Sequence, residues 1–489
     1  MTNRRCCGLR PTISQIRPSF IFSPSRLLAS KTIDHIGISV VTLPWLRCAL
    51  KCEKEKVSRR WLSASIIHKH CKSAMLLLLI YLTLIVISLL IVHTHYLNHH
   101  RLIMPSPIRV GLVGLGKDPF KMGPGIWGAS VHLPYLITSP KYTLVAVQNS
   151  TVESALASIE YHNLGPDIKA YGTPEDLAQD SNVDLVVVSI VVTHHYAVAK
   201  PALLAGKDVF VEWPLATTTA EAEELSKIAE EKGCKTIVGL QARASPLVLE
   251  IKEVLRSGKI GRILSSTVVG QISSLKPFGT WQESAKYYVD MDSGANGFYV
   301  SFGHFLNSFV QILGPFTSLS SILHTHYPTI SLIDDNGSIT SPSHPKTSPD
   351  AIFVSGTLHS GAIVSLSHIT APIDPVDDTS LRWIITGSEG ALEITVPKDL
   401  PWQMGPPAVL KARFGKDANQ EVEAVEWEGP RNGEGSEVGQ FPAANTRRLY
   451  EAFADVKGGD RARREEYASF GESVETSRLL DWIRSAAGK

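Results

Sequence analysis

From Ile108 onward the chain alternates short apolar runs with stretches of helical spacing. No other feature restricts the fold as tightly. The runs are "IRVGLVG", "YTLVAVQ", "VDLVVVSI", "DVFVEW" and "TIVGL"; between them lie "VESALASIE", "AVAKPALLAG" and "TTAEAEELSKIAEEKG". The last carries its own stop signals: Thr217 to Thr219 offer caps, acids fill the early turns and Gly233 closes it. Strands that are apolar on both faces and separated by helices belong in a parallel sheet covered on both sides. The pattern predicts an α/β Rossmann domain over residues 104–243.

The first strand ends in Gly111, Gly114 and Gly116. Glycines at this place permit a tight turn and let a pyrophosphate approach the backbone near a helix N-terminus. The usual third glycine is displaced by the insertion "KDPFKMGPG", and Gly128 is positioned to take over its packing role. The same glycines also fit a plain strand–turn–helix without a ligand. The second strand ends "VAVQNS", where a carboxylate would grip the ribose hydroxyls of NAD. Asn149 and Ser150 stand there instead, and neutral groups do not repel a 2′-phosphate, so NAD and NADP are both admissible. The competing reading of Asn149 and Ser150 is ordinary helix capping.

Beyond about residue 262 the texture becomes β-rich: "RILSSTVVGQI", "AIFVSGTL", "GAIVSLSHI", "LRWIITG" and "ALEITV", interrupted by few helices such as "GHFLNSFVQILG". We expect an α+β domain over residues 244–441 with a large, mostly antiparallel sheet. The stretch from Tyr327 to Asp350 reads as a long mobile loop, and 428–440 as another flexible stretch. Residues 442–489 read as closing amphipathic helices.

The first 103 residues are a different piece. They hold 15 of the chain's 48 Lys and Arg but only 3 of its 47 Asp and Glu, so the remainder is acidic. Five of six cysteines lie before residue 104, leaving Cys234 alone in the body, which excludes an internal disulfide there. Cys48 and Cys52 read as free thiols, and no metal site is expected. Met75 to Val92 is uncharged and near the minimum length for a transmembrane helix. Three readings of this N-terminal extension stand open. It is a single-pass membrane anchor, an organelle transit peptide, or a mistaken extension upstream of a normal start at Met104. A start at Met104 goes with the cytoplasm or nucleus. An acidic body argues against direct nucleic-acid binding.

The pieces "IRVGLVGLG", "HLPYL", "HYAVAKPALLAGKDVFVEWPL", "GLQARASPLVLEIKEVLRSGKIGRI" and "FGHFLNSFVQILG" resemble the glucose–fructose oxidoreductase / inositol dehydrogenase (Gfo/Idh/MocA) family over roughly residues 106–395. Trp127 with His132 and Pro134, then "THHY", "FVEW", "LQARASP", "SFGH" and "SGTLHSG", resemble its fungal branch of galactose/lactose metabolism regulators. The resemblance implies a nicotinamide nucleotide, NAD or NADP, in the cleft of a Rossmann domain. It also implies a sheet domain used for homodimerisation and a protein partner of the transcription-activator type. The cofactor-binding residues it points to are Gly114, Leu115, Gly116, Trp127, His132, Asn149, Ser150, Ile190, Val191, His195, Glu212, Trp213 and Arg243.

Carried over residue by residue, the family's acid/base lysine is Trp213, and indole cannot donate or accept a proton in the useful pH range. The family's histidine matches His304, the candidate catalytic residue. Its aspartate is Val300, the following acid is Asn307, and the T-P turn is Ile190–Val191. Hydride transfer needs a cofactor, but alcohol oxidation also needs a proton acceptor, for which His304 remains, with Tyr287 or Tyr288 beside it. Two functions follow: a weakly or non-catalytic dinucleotide-binding regulator, or a sugar or polyol oxidoreductase with a rearranged proton path. Trp213 is either an aromatic wall of the nucleotide pocket or a packing residue. Arg243 either anchors phosphate, bridges the domains, or forms a surface salt bridge.

Overall fold

A computed structural model describes residues 83–88, 106–118, 125–273, 279–398, 401–415, 421–427 and 443–488. Residues 83–88 are helical and belong to a unit separate from the body, Met1–Arg101. The rest of the apolar segment Met75 to Val92 lies outside the described residues, as does 428–440. Among the described residues no helix is long and apolar enough to cross a membrane.

Six strands form the first sheet: β1 (Ile108–Val113), β2 (Tyr142–Gln148), β3 (Lys169–Tyr171), β4 (Leu185–Val188), β5 (Asp208–Glu212) and β6 (Thr236–Gly239). They run parallel in the order β3-β2-β1-β4-β5-β6. Every residue of β4, β5 and β6 is buried, which is why these strands read as unbroken apolar runs rather than as alternations. The covering helices are α1 (Leu133–Leu136), α2 (Val152–Tyr161), α3 (Pro174–Gln179), α4 (His195–Leu204) and α5 (Thr219–Lys232). In α5 a reciprocal capping box between Thr218 and Glu221 satisfies the first amides, and Gly233 ends the helix in the left-handed region at φ 69°.

The second sheet has eight strands: β7 (Ile263–Ser273), β9 (Phe316–His324), β12 (Ala351–Leu358), β13 (Ile363–Ala371), β14 (Thr379–Gly387), β15 (Gly390–Pro397), β16 (Val409–Phe414) and β17 (Glu423–Ala424). Their pairs are antiparallel except β7–β13, which is parallel, so the sheet is mixed. One face is dry. Helix α7 (Gly303–Leu313) lays Phe305 and Phe309 against Trp383, each with ring centroids 5.5 Å away. The buried indoles are satisfied, Trp383 Nε1 by Ser266 Oγ at 2.8 Å and Trp402 Nε1 by Ser308 Oγ at 2.9 Å.

The expectation of a mobile loop from Tyr327 to Asp350 is overturned. Its residues form β10 (Thr329–Ile333) and β11 (Ile339–Pro345), an antiparallel hairpin whose first strand also pairs with β8 (Thr280–Gln282). The turn is set by Asp334, whose carboxylate accepts from the Asn336 and Ser338 amides, and by Gly337 at φ 81°. The strand signal was the β-branched run "TISLI" followed by Asn-Gly.

The chain finishes back on the first sheet. Ala468 pairs with Val238 and so covers the open edge of β6, and the Phe470 amide donates to Thr236 Oγ1 at 3.0 Å. Helix α8 (Ala443–Lys457) inserts Tyr450 among Tyr135, Tyr142 and Phe210, with centroids 5.1–5.4 Å away. Lys141 pairs with Glu451 and Asp455, and Lys457 pairs with Asp208. Helix α9 (Phe470–Ala486) starts with a second capping box, Ser469 with Glu472.

Tyr450 tests this closure. Its hydroxyl donates to His132 Nδ1 at 2.7 Å, and both residues are fully buried. Tyr450→Phe keeps the ring but leaves a buried acceptor without its donor, at a cost of about 1–3 kcal/mol. Thermal unfolding should show the loss; an unchanged midpoint would contradict the assigned hydrogen bond.

Candidate functional site

The site lies where β1, β4 and β5 end. Gly114 turns the chain at φ 88°, and a Cβ there would sit 2.4 Å from the Ser189 carbonyl oxygen and from Ile190 Cγ2. A Cβ on Gly128 would come within 2.3 Å of the Gly114 carbonyl oxygen, so Gly128 does permit the close packing of the following helical turn onto the strand end. Gly125, the last residue of the insertion, accepts the Gly116 amide at its carbonyl at 3.0 Å. The chain then enters a π turn (Gly128–His132) before α1.

The three turn amides are all engaged by the protein. Gly114 N–H donates to the Gln148 carbonyl at 2.9 Å, Leu115 N–H to Asn149 Oδ1 at 3.0 Å, and Gly116 N–H to Gly125. Asn149 returns the bond through Nδ2 to the Leu115 carbonyl, also 3.0 Å, and reaches Ser154 and Ser158. Asn149 therefore clamps the glycine turn. The capping of α2 falls to Thr151, whose hydroxyl accepts from the Ser154 amide. That replaces the expectation that Asn149 and Ser150 cap the helix; Ser150 is exposed beside the turn.

At the end of β5, Glu212 is buried and both carboxylate oxygens have partners: His132 Nε2 at 3.0 Å and Gln241 Nε2 at 3.3 Å. A Cβ on Gly239 would collide with this carboxylate at 2.4 Å, so the glycine of β6 makes room for it. With Glu212 accepting, His132 carries its proton on Nε2 and accepts at Nδ1 from Tyr450, so hydrogen bonds link Tyr450, His132, Glu212 and Gln241 in one chain.

Trp213 follows, joined to Pro214 by a cis peptide. It is 5% exposed, and its Nε1 donates to the Tyr299 carbonyl at 2.9 Å. The indole lies on Gly303 so closely that a Cβ there would be 2.9 Å away. Trp213 thus packs across onto the first turn of α7 in the second domain. His195 is buried behind it, its two ring nitrogens facing the carbonyls of Pro214 at 2.8 Å and Ile190 at 3.1 Å. It ties the Ile190–Val191 turn to the strand-5 end, and burial holds its pKa below the ordinary value.

His304 lies one residue after Gly303, with its ring 6.5 Å from Trp213. Burial alone pushes its pKa down to about 3, and its buried Nδ1 has no partner among the described residues. Tyr288, one of the two tyrosines expected beside it, shares a 3.0 Å hydrogen bond with Ser301. Arg243, 7% exposed, donates to Asn307 Oδ1 at 3.0 Å, to Glu472 Oε1 at 3.1 Å and to the Tyr467 carbonyl at 3.4 Å. Asn307, where the family carries an acid, passes the contact on to Thr476 at 2.8 Å. Of the three roles weighed for Arg243, this geometry is a buried bridge between domains.

The nicotinamide dinucleotide implied by the fold was tested against these residues. They fit it: the Gly114 turn is a cradle that a side chain would fill, and two buried polar atoms flanking it, Trp127 Nε1 and Ser189 Oγ, lack partners among the described residues. Sequence reasoning missed Ser189, Tyr450 and Gln241. The last two act through contacts 318 and 29 residues away, which carry no local pattern.

Two family models cover most of the body. One, an oxidoreductase family with an NAD-binding Rossmann fold, matches residues 108–240; the other, the Gal80p C-terminal domain, matches 246–396. Dehydrogenase aclE of Aspergillus oryzae is 35% identical over 329 residues, which is 66% of this chain and 85% of that protein. The galactose/lactose metabolism regulatory protein GAL80 of Saccharomyces cerevisiae is 31% identical over 272 residues, 53% of this chain and 59% of that protein. The Gal80p structure from Kluyveromyces lactis superposes with a TM-score of 0.66 at 28% identity, over 79% of this chain and 94% of that one. A super-repressor mutant of Gal80p from Saccharomyces cerevisiae gives 0.67 at 25% identity, over 78% and 96%. With its Rossmann sheet, its mixed second sheet and these matches, the chain belongs to the Gfo/Idh/MocA oxidoreductase family, near its Gal80 branch.

Proposed function

We propose that the protein is a nicotinamide-dinucleotide-binding regulator with little or no turnover. The observation that carries this reading is the state of the two positions that would move protons. Trp213 replaces the lysine and its ring is committed to Tyr299 and Gly303. His304 is held near pKa 3 by burial, far below the neutral range in which a general base works best. Among the described residues no carboxylate orients it: Val300 and Asn307 stand at the family's acidic positions, and Asn307 is bonded to Arg243.

In this reading the Gly114–Gly116 turn lets the pyrophosphate approach, Trp127 Nε1 and Ser189 Oγ donate to it, and exposed Ser150 borders the ribose. Bound there, the nicotinamide would supply hydride transfer if a substrate could lose its proton. Ile190, Val191 and His195 shape the wall, and the His132–Glu212 pair fixes the strand-5 end rather than reaching the ligand. The ligand sits between two domains, so its binding can alter the surface offered to a protein partner of the activator kind. By linkage the partner must then change nucleotide affinity by the same factor. The reading carries a cytoplasmic or nuclear location.

A second reading, an oxidoreductase acting on a sugar or polyol, is favoured by one observation: the relative that aligns over 85% of its length is named a dehydrogenase. Calorimetric titration with NAD, NADP and their reduced forms, followed by a hexose and polyol panel read by nicotinamide absorbance, separates the two. We expect micromolar binding and no turnover. Turnover on any panel member that is lost in His304→Ala would establish the enzyme instead.

Trp213→Lys gives a sharper test. The new ammonium would be buried against Gly303 without a counter-ion, so stability should fall by about 3–5 kcal/mol and no turnover should appear. A variant of unchanged stability would show that the position is open and the packing argument wrong.

We also propose a homodimer through the outer face of the eight-stranded sheet. The cross-strand register aligns Ile322, Phe353, Val269 and Val409 on one row, interrupted by Ser367, Arg382 and Thr395. Those four apolar side chains are 40–62% exposed. Phe353→Asp with Val269→Arg should convert a dimer to a monomer in light scattering without lowering the unfolding midpoint. A monomeric parent protein would refute the interface.

A further inference from the structure

A cavity lies beside Arg243, with a volume of about 380 Å³, large enough for a small metabolite. Helix α6 (Pro246–Arg256) lines it with Lys252 and Arg256, one turn apart; α7 contributes Gln311, the short turn before α9 contributes Glu465, and the first turn of α9 contributes Glu472. Arg243 also lines it and is shared with the bridge described above.

The chemistry of this lining is that of an anion site already filled from within. Glu465 reaches Lys252 at 2.8 Å and Arg256 at 2.5 Å. Its side chain is 64% exposed, whereas that of Lys252 is only 9% exposed. A buried ammonium is thus answered by a carboxylate that lies in water and lacks support of its own. An ammonium has three donors and a guanidinium five, so one carboxylate leaves donors to spare. Glu472 is not free to help: it is held by Arg243, by Arg464 and by the Ser469 cap. Gln311, which lines the cavity, has a buried acceptor, Oε1, without a partner among the described residues. Its orientation is fixed because Gln311 Nε2 donates to the Glu465 carbonyl at 2.9 Å.

We infer that this cavity binds a small phosphate ester bearing a hydroxyl: the phosphate displaces the Glu465 carboxylate from Lys252 and Arg256, and the hydroxyl donates to Gln311 Oε1. The inference is independent of the nucleotide reading, because none of these groups belongs to the glycine turn. Displacement of Glu465 frees the short turn Arg464–Glu466, whose Arg464 holds Glu472, which holds Arg243. The bound ester therefore acts on the bridge that seats α7, and with it His304 and Gly303.

The test titrates the full chain with inorganic phosphate and with glycerol 3-phosphate by calorimetry, at constant ionic strength. We expect one saturable site, tighter for the ester. Glu465→Gln removes the internal competitor and should tighten phosphate roughly tenfold, whereas Glu253→Gln, an equal charge change elsewhere on α6, should leave it unchanged. Arg256→Gln, at an exposed position that folding tolerates, should weaken it roughly tenfold, as should Lys252→Met. Gln311→Leu should abolish the preference for the ester over free phosphate. Absence of saturable binding in both the parent and Glu465→Gln would overturn the inference, as would equal tightening by Glu253→Gln. Phosphate bound at the glycine turn would be indifferent to Lys252 and Arg256, and that result would also overturn it.

Discussion

The two domains are held in register by a buried cation. Taking a guanidinium out of water costs several kcal/mol unless hydrogen bonds and an opposite charge replace the lost solvation. Arg243 meets that demand with three segments distant in the chain: Asn307 on α7, the Tyr467 carbonyl beside the β6 edge, and Glu472 at the start of α9. Burial raises the Glu472 pKa, but Arg243, the Ser469 amide and Arg464 together hold it down to about 2, so the carboxylate stays charged where it is needed. Removing any one partner would leave the cation short. The end of β6, helix α7 and the returning C-terminus are consequently set by one another.

Two glycines show what this fixed arrangement replaces. Gly239 leaves room for the Glu212 carboxylate and Gly303 leaves room for the Trp213 indole. Both large side chains are then satisfied inside the protein, Glu212 by His132 and Gln241, Trp213 by the Tyr299 carbonyl. A lysine at position 213 would need a partner and some water to work as an acid/base group. The indole needs neither, and it turns the strand-5 end from a reactive edge into a contact between domains. The same dryness lowers the pKa of His304. The packed indole and the lowered pKa of His304 thus have one physical cause, a close contact between the strand-5 end and α7.

Much of this was legible in the sequence where the signal is local. The parallel sheet follows from apolar runs too short for helices, the α5 boundaries from Thr218, Glu221 and Gly233, and the displaced third glycine from Gly128. The hairpin at Thr329–Pro345 was legible too, in "TISLI" and Asn336–Gly337, but prolines and polar residues masked it. What could not be read was pairing over distance. Nothing near His132 announces Tyr450, and Asn307 looks like a lost catalytic acid until it is seen to accept from Arg243. Asn149 misled in another way: its side chain is drawn inward to the Leu115 backbone, so its identity reflects the turn more than any ligand.

That last point bears on nucleotide selectivity. In a Rossmann site the strand-2 carboxylate both grips the ribose and repels a 2′-phosphate. Here β2 ends in a neutral residue whose polar atoms are already spent on the turn, followed by an exposed serine. Discrimination therefore has no charge to work with at that point; a single hydroxyl can hydrogen-bond a ribose or a phosphate with similar ease. The turn amides give no more, since all three donate within the protein. Recognition is left to shape and to Trp127 Nε1 and Ser189 Oγ, which lack partners among the described residues. A site built this way distinguishes a dinucleotide from other ligands better than it distinguishes NAD from NADP.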